Sequence, residues 1–270
     1  MRWAVLLFLL LSVPCMAAPE LRIGIEPFFS PRLLIASFEP LRESLAAQQR
    51  RPVVLLTAPD YRQFFTHIHR HDYDLVVTSA TGARYAQTRE GFIPCLIARG
   101  HYVGLLITNR KIAGDLNGAL KGARVALPDP LSLTALLGEA WLDDRGVQTH
   151  RQHHAYQNGA ISAVLRGDAD FAIVSRNVLG LLAASDRAAL SVVAETGEAP
   201  NAVLLASGDL SEEERARYAD LIGNFINNHG QDSSFANMLG ITGVEAPAPY
   251  ELTQVDRLTF ELQRRLKAAM

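Results

Sequence analysis

Cysteine is almost missing from this chain: among 270 residues only Cys15 and Cys95 carry a thiol. Cys15 lies in a leader-like N-terminus, which leaves Cys95 alone in the apolar context Ile93-Pro94-Cys95-Leu96-Ile97. A single thiol cannot form an intramolecular disulfide, so a buried, inert thiol is expected and stability must come from burial. An excess of either charge is lacking as well. The formal net charge is -2 and the basic residues are scattered, which argues against a nucleic-acid surface but leaves room for a local pocket. Past the N-terminus there is no apolar run long enough to cross a bilayer. Enzyme signatures are missing too: the chain has no Gly-x-Ser-x-Gly, no His-Glu-x-x-His and no phosphate-loop lysine pattern. The paired acids Asp143-Asp144, and Asp168 with Asp170, read as solvated ends of elements. No enzymatic activity and no cofactor are therefore expected.

What the chain does have begins with a leader. Met1-Arg2 supplies a positive start, Trp3 to Leu11 an apolar stretch too short to span a membrane, and Cys15-Met16-Ala17 a small-residue cleavage site before Ala18. Residues 1–17 thus read as a secretory signal peptide, and the periplasm as the expected compartment. Lipid attachment at Cys15 is disfavoured by Pro14, which replaces the small residue such sites carry. The remainder is 49% hydrophobic when counted over the whole sequence, enough for one large or two smaller cores.

Periodicity then alternates strand and helix. Leu21 to Ile25 is a short strand; Ser30-Pro31 opens a helix whose Leu34, Phe38, Leu41 and Leu45 recur at helical spacing. Val53 to Thr57 is the next strand, Asp60 caps a helix through His67, and Asp74 to Thr78 is a strand leading into Ser79-Ala80-Thr81-Gly82. Strands follow at Ile93 to Ala98, where Pro94 suggests an edge, and at Tyr102 to Thr108. The pattern restarts after Gly122: strand Ala123 to Leu127, helix Leu133 to Asp144, strand Gln152 to Tyr156, helix Gly159 to Leu165 and strand Ala169 to Val174. Leu190 to Ala194 and Ala202 to Ala206 read as further strands, and Ser211 to Asn227 as a capped helix. Such alternation predicts an α/β fold of two lobes, each a mainly parallel sheet flanked by helices. The expected division is 18–104 for the first part of lobe 1, 105–202 for lobe 2, and 203–270 for the return to lobe 1 and the C-terminal helices.

In parallel sheets ligands lie beyond the carboxyl ends of the strands, where loops enter helices. Several of these loops carry small hydroxyls or polar caps: Ser30, Ser79 with Thr81, Ser132 with Thr134, and Asn158. The stretch Ala123 to Leu127, Pro128-Asp129-Pro130, Leu131-Ser132-Leu133-Thr134 is the most informative. Pro130 ends the strand, and hydroxyls beside unpaired helix amides form an anion cradle, although Ser132 serving only as a cap is an equally good reading of that segment alone. Tyr61 and Tyr102, at an element start and a proposed crossover, are candidates to cover or bond a ligand, with plain packing an equally good reading of each. For Phe28 and Phe29 packing is the preferred reading, and for Glu26 a solvated loop carboxylate.

Leu21-Arg22-Ile23-Gly24-Ile25, Ala58-Pro59-Asp60-Tyr61, Asp74 to Thr78, Asp129-Pro130-Leu131-Ser132-Leu133-Thr134 and Ala160 to Asp170, in that order, resemble the phosphate/phosphonate-type periplasmic solute-binding proteins of ABC transporters. The likeness runs over most of the chain after the leader. It implies a type II periplasmic-binding-protein fold that closes on an oxyanion such as phosphate, phosphite or a phosphonate. Ser132 and Thr134 match the hydroxyls that follow the Asp129-Pro130 turn in that family. Where phosphonate-specialised members carry Ser-His-Asp at a helix start, this chain has Tyr156-Gln157-Asn158, so Asn158 lacks the carboxylate that would pair with a ligand ammonium or acidic proton.

The resulting candidate ligand-binding set is Ser132, Thr134, Ser79, Thr81, Tyr102, Asn158, Tyr61 and Asp129. Expected partners are a small anionic ligand and an inner-membrane ABC permease, with no nucleic acid; the chain is expected to act as a monomer. A periplasmic sensor docking on a membrane signalling protein, or an exported enzyme on the same fold, are the alternatives. His67 with His71, and His150, His153 and His154, offer the residues of a metal site, but spacing without a cysteine partner favours packing or solvation.

Overall fold

The computed structural model describes residues 19–112, 114–229 and 234–268, so the expected leader lies outside the described residues. The first lobe opens with β1 (Leu21–Ile25), α1 (Pro31–Gln49), β2 (Val53–Thr57), α2 (Tyr61–His69), β3 (Leu75–Thr78), α3 (Ala80–Arg89) and β4 (Ile93–Ala98). The chain then enters the second lobe through β5 (His101–Thr108), followed by α4 (Leu116–Leu120), β6 (Arg124–Leu127), α5 (Leu133–Asp144), β7 (His150–His153) and α6 (Gln157–Arg166). That lobe is completed by β8 (Phe171–Ser175), α7 (Arg176–Gly180), α8 (Ala184–Ala188) and β9 (Ser191–Pro200). The return comprises β10 (Val203–Ala206), α9 (Glu212–His229), α10 (Ser234–Leu239), β11 (Val244–Glu245), a 3-10 turn at Glu251–Val255 and α11 (Asp256–Lys267).

Two sheets result, ordered β11-β4-β10-β3-β1-β2 and β7-β6-β8-β5-β9. Parallel pairing is confined to β2-β1-β3 and β7-β6-β8, because β4 to β5 and β9 to β10 carry the chain between lobes and so add antiparallel strands to each sheet. β9 is longer than its apolar pattern suggests, since it pairs with β5 along its whole length from His101↔Pro200 to Thr108↔Ser191. Pro94 stands where β4 has β10 on one side and the two-residue β11 does not reach, and the ladder skips Cys95 there, which accommodates the missing amide.

The restart in the sequence is a structural repeat. Before β3, Asp74 accepts hydrogen bonds from the Arg22 amide and guanidinium on β1; before β8, Asp170 does the same for Arg124 on β6. In both lobes one carboxylate thus locks the first and third strands in register, and the arginine bonds hold Asp170 down at about 2. Helices cover both faces of each sheet. Phe38 of α1 stacks on Phe235 of α10 with ring centroids 4.8 Å apart, which presses α10 toward the space between the lobes. α11 straddles the two halves, packing on α3 and α5, and its Arg265 bonds both the Pro130 carbonyl and the buried Glu139. No helix of the described residues is long and apolar enough to cross a membrane.

Candidate functional site

Between the sheets, the starts of α2, α3, α5 and α6 converge on an enclosed cavity of about 30 Å3, room for a cluster of a few heavy atoms rather than a sugar or peptide. The first lobe contributes Glu26, Phe28, Phe29, Tyr61 and Ser79, with Met238 and Leu239 from α10. The second contributes Tyr102, Ser132, Leu133, Thr134, Gln157, Ser175 and Asn177, and Asn201 and Ala202 stand on the returning crossover. Helix starts meet here because each loop leaves the carboxyl end of a parallel strand, the edge at which the two sheets face one another.

Ser132 caps α5: its hydroxyl accepts from the Ala135 amide at 3.2 Å and donates to the Asp129 carbonyl at 2.6 Å. Its hydrogen is therefore committed to the turn. The amides of Leu133 and Thr134, at the first two positions of α5, meet no acceptor among the described residues and remain available to an anion. The Thr134 hydroxyl is bonded to the Tyr102 phenol. Burial pushes that phenol up to about 12 against the opposing hydrogen bonds of Thr134 and Ser175, so Tyr102 is neutral at physiological pH. Burial likewise raises the Tyr61 phenol well above its ordinary value. Asn201 spends its carbonyl oxygen on the Ala202 amide, while its NH2 group has no partner among the described residues.

The first lobe handles its helix start differently. Glu26, directly after β1, is 1% exposed. Its Oε2 accepts from the Thr78 hydroxyl and the Ser79 amide, each at 2.5 Å, and its Oε1 accepts from the Ser79 hydroxyl at 3.1 Å. A side-chain carboxylate therefore takes the N-cap amide of α3, while the Ala80 and Thr81 amides, like those of Leu133 and Thr134, meet no acceptor among the described residues. Burial outweighs these three bonds and pushes its pKa up to about 7, with nearby Asp129 adding to the rise. Gly82 permits the close approach: a Cβ there would lie 2.1 Å from Thr78 Oγ1. Among the described residues, no Lys, Arg or His lines the cavity. A bound anion about 4 Å from ionised Glu26 would be opposed by roughly 4 kcal/mol at an effective dielectric of about 20, with no side-chain cation to offset it.

The family model for the periplasmic substrate-binding protein of phosphonate ABC transporters matches residues 23–251. The chain belongs to this family. Its fold is shared with PhnD1 from Prochlorococcus marinus, solved in complex with methylphosphonate, at TM-score 0.76 and 18% identity over 90% of this chain and 98% of that one. A binding-protein component of an ABC phosphonate transporter from Pseudomonas aeruginosa gives TM-score 0.76 and 20% identity over 93% and 88% of the two chains. The periplasmic aliphatic sulphonate-binding protein SsuA from Escherichia coli gives TM-score 0.64 and 15% identity over 92% and 89%. Comparison with curated proteins finds no match. A type II periplasmic-binding-protein fold, membership in a binding and transport family, and a periplasmic setting follow.

Within this phosphonate-binding fold, Tyr61, Ser79, Tyr102, Ser132 and Thr134 are brought together around one cavity. Thr81 is buried behind Ser79, with its hydroxyl 3.3 Å from that of Ser79, and does not line it. Asp129 also stays outside; its carboxylate accepts from the Leu131 amide and shapes the turn into α5. Asn158 is exposed. α6 begins at Gln157, which places that side chain at the cavity, 7% exposed, with its Oε1 accepting from the Ser175 amide at 2.6 Å. Glu26 is the largest departure from expectation: it is a buried carboxylate at the centre, not a solvated one. Its donors lie some 52 residues further along the chain, so no local pattern announces them.

Four of the described histidines face carboxylates, His71 meeting Asp209 at 3.6 Å. His67 meets Asp72 at 2.8 Å, His69 meets Glu90 at 3.0 Å, and His153 meets Glu139 at 3.3 Å. Among the described residues, no group of three or more His, Cys, Asp or Glu is arranged to hold a metal. Cys95 is half-buried and free, and burial raises its thiol.

Proposed function

We propose that this protein is exported behind its N-terminal leader, captures one small phosphonate-, phosphite- or phosphate-like oxyanion between its lobes, and delivers it to an ABC permease. The observation that carries this reading is the convergence of helix starts from both lobes on a single small enclosed cavity. Anion oxygens would be met by the Leu133 and Thr134 amides, the Tyr61 phenol and the Asn201 NH2 group, with Tyr102 and Thr134 forming the second-lobe wall. The bound methylphosphonate of the Prochlorococcus relative supports the ligand class. Closure would occur by movement about the two crossovers between β4 and β5 and between β9 and β10.

The test is a thermal-shift panel of phosphate, phosphite, methylphosphonate, sulfate and acetate. Ligands that bind only the folded state raise its melting temperature. At least one phosphorus oxyanion should stabilise the protein, and Tyr61→Phe combined with Asn201→Ala, which removes the two side-chain donors to the anion, should abolish the shift. Stabilisation unaltered in the double variant would place the ligand elsewhere.

A further inference from the structure

Glu26 creates a problem for an anion receptor that the rest of the cavity does not relieve. Its carboxylate accepts from the Thr78 hydroxyl and from the amide and hydroxyl of Ser79, so of its roughly four lone-pair positions three are used. The remaining one, on Oε1, belongs to a group that lines the cavity. The titratable groups facing it are Tyr61 from the start of α2, Tyr102 from β5 and Asp129 from the turn before α5; α3 offers only Ser79 and α10 only Met238 and Leu239. None of these is a cation. Two acceptor oxygens, one on Glu26 and one on a bound oxyanion, can approach only with a proton between them.

We propose that Glu26 makes ligand capture proton-coupled: one proton is held between its carboxylate and a ligand oxygen, so that above neutral pH the cavity takes oxyanions carrying an acidic proton, as in a hydrogen phosphonate, and rejects permanently ionised ones such as sulfonates. This rests on the reading of the cavity as the ligand site. A hydrogen phosphonate brings the proton itself, and the dianion that replaces it at alkaline pH must take one up from solvent as it binds. A sulfonate has none at these pH values and must wait for Glu26 to be protonated, which burial makes accessible near neutrality.

The experiment is calorimetric titration of methylphosphonate and methanesulfonate into the full chain between about pH 6 and about pH 9, in buffers of different ionisation enthalpy so that proton uptake is counted. The wild type should take up about one proton per methylphosphonate at the alkaline end and lose about tenfold in affinity per pH unit there. Methanesulfonate should bind at least about tenfold more weakly than methylphosphonate at about pH 8. In Glu26→Gln, a fixed amide donor should make methanesulfonate affinity flat with pH and shrink the gap between the two ligands. Methylphosphonate binding without proton uptake overturns the proposal but leaves the ligand site intact, and so does a glutamine variant whose affinities for both anions change by one common factor. Failure of the wild type to bind any phosphorus oxyanion overturns both readings. The proton count needs only the wild type, so a poorly folding variant does not remove the test.

Discussion

Replacing Glu26 by glutamine should change how stability depends on pH, with no ligand present. The carboxyl is fully buried and its pKa rises from 4.5 in the unfolded chain to about 7 in the folded one. Between these values the folded state holds a proton that the unfolded state has lost, so stability falls as pH rises through this window. At about 1.4 kcal/mol per pH unit, the full excursion is about 3 kcal/mol. The substituted amide would keep an acceptor for Thr78 and the Ser79 amide, and its NH2 can donate to a rotated Ser79 hydroxyl, so the hydrogen-bond set survives without a titrating group. Urea denaturation of both proteins at matched pH values from about 5 to about 8.5, in buffers free of oxyanions, isolates the effect because every other titrating group is common to the pair. The variant should gain about 3 kcal/mol on the wild type from the acid to the alkaline end. Parallel stability curves would refute the claim that Glu26 is forced toward its neutral form.

Ser132→Ala removes the cap that accepts from Ala135 and donates to Asp129, and should cost about 1 kcal/mol by urea denaturation. Asp170→Asn should cost about 2 kcal/mol near neutral pH by loss of its charge-assisted bonds to Arg124. Because Asp170 sits at about 2 in the folded protein, below its unfolded value of 3.8, that difference should fade as pH falls through this interval. Arg265→Ala removes the inter-lobe partner of Glu139, which keeps His153 at 3.3 Å, and should destabilise by about 1.5 kcal/mol, measured the same way.

Elements with a strong local period were readable in the sequence: β1, β2, β4 and α5 fall where apolar spacing and caps put them. β7 was displaced because His150–His153 is a weakly patterned strand whose position is set by pairing with β6, not by its own residues. The extent of β9 depends on β5 in the same way, with Gly197 and Pro200 masking it from a propensity reading. Of the candidate residues, Ser79, Ser132 and Thr134 reach the cavity from helix starts, Tyr61 opens α2 there, and Tyr102 reaches it from β5. Asn158 lies away from the cavity because α6 begins at Gln157, and one residue turns a helical side chain by about 100°. Glu26 was hidden for a different reason. A carboxylate after a strand ordinarily faces water, and only the tertiary approach of Thr78 and Ser79 turns it inward.

The central claim, that both lobes present donors to one small oxyanion, is tested most directly by a crystal structure of the protein grown with methylphosphonate. The account predicts tetrahedral density between Glu26 and Tyr61 on one side and the Leu133 and Thr134 amides on the other. A cavity holding only water, with the anion bound on an outer surface, would contradict it.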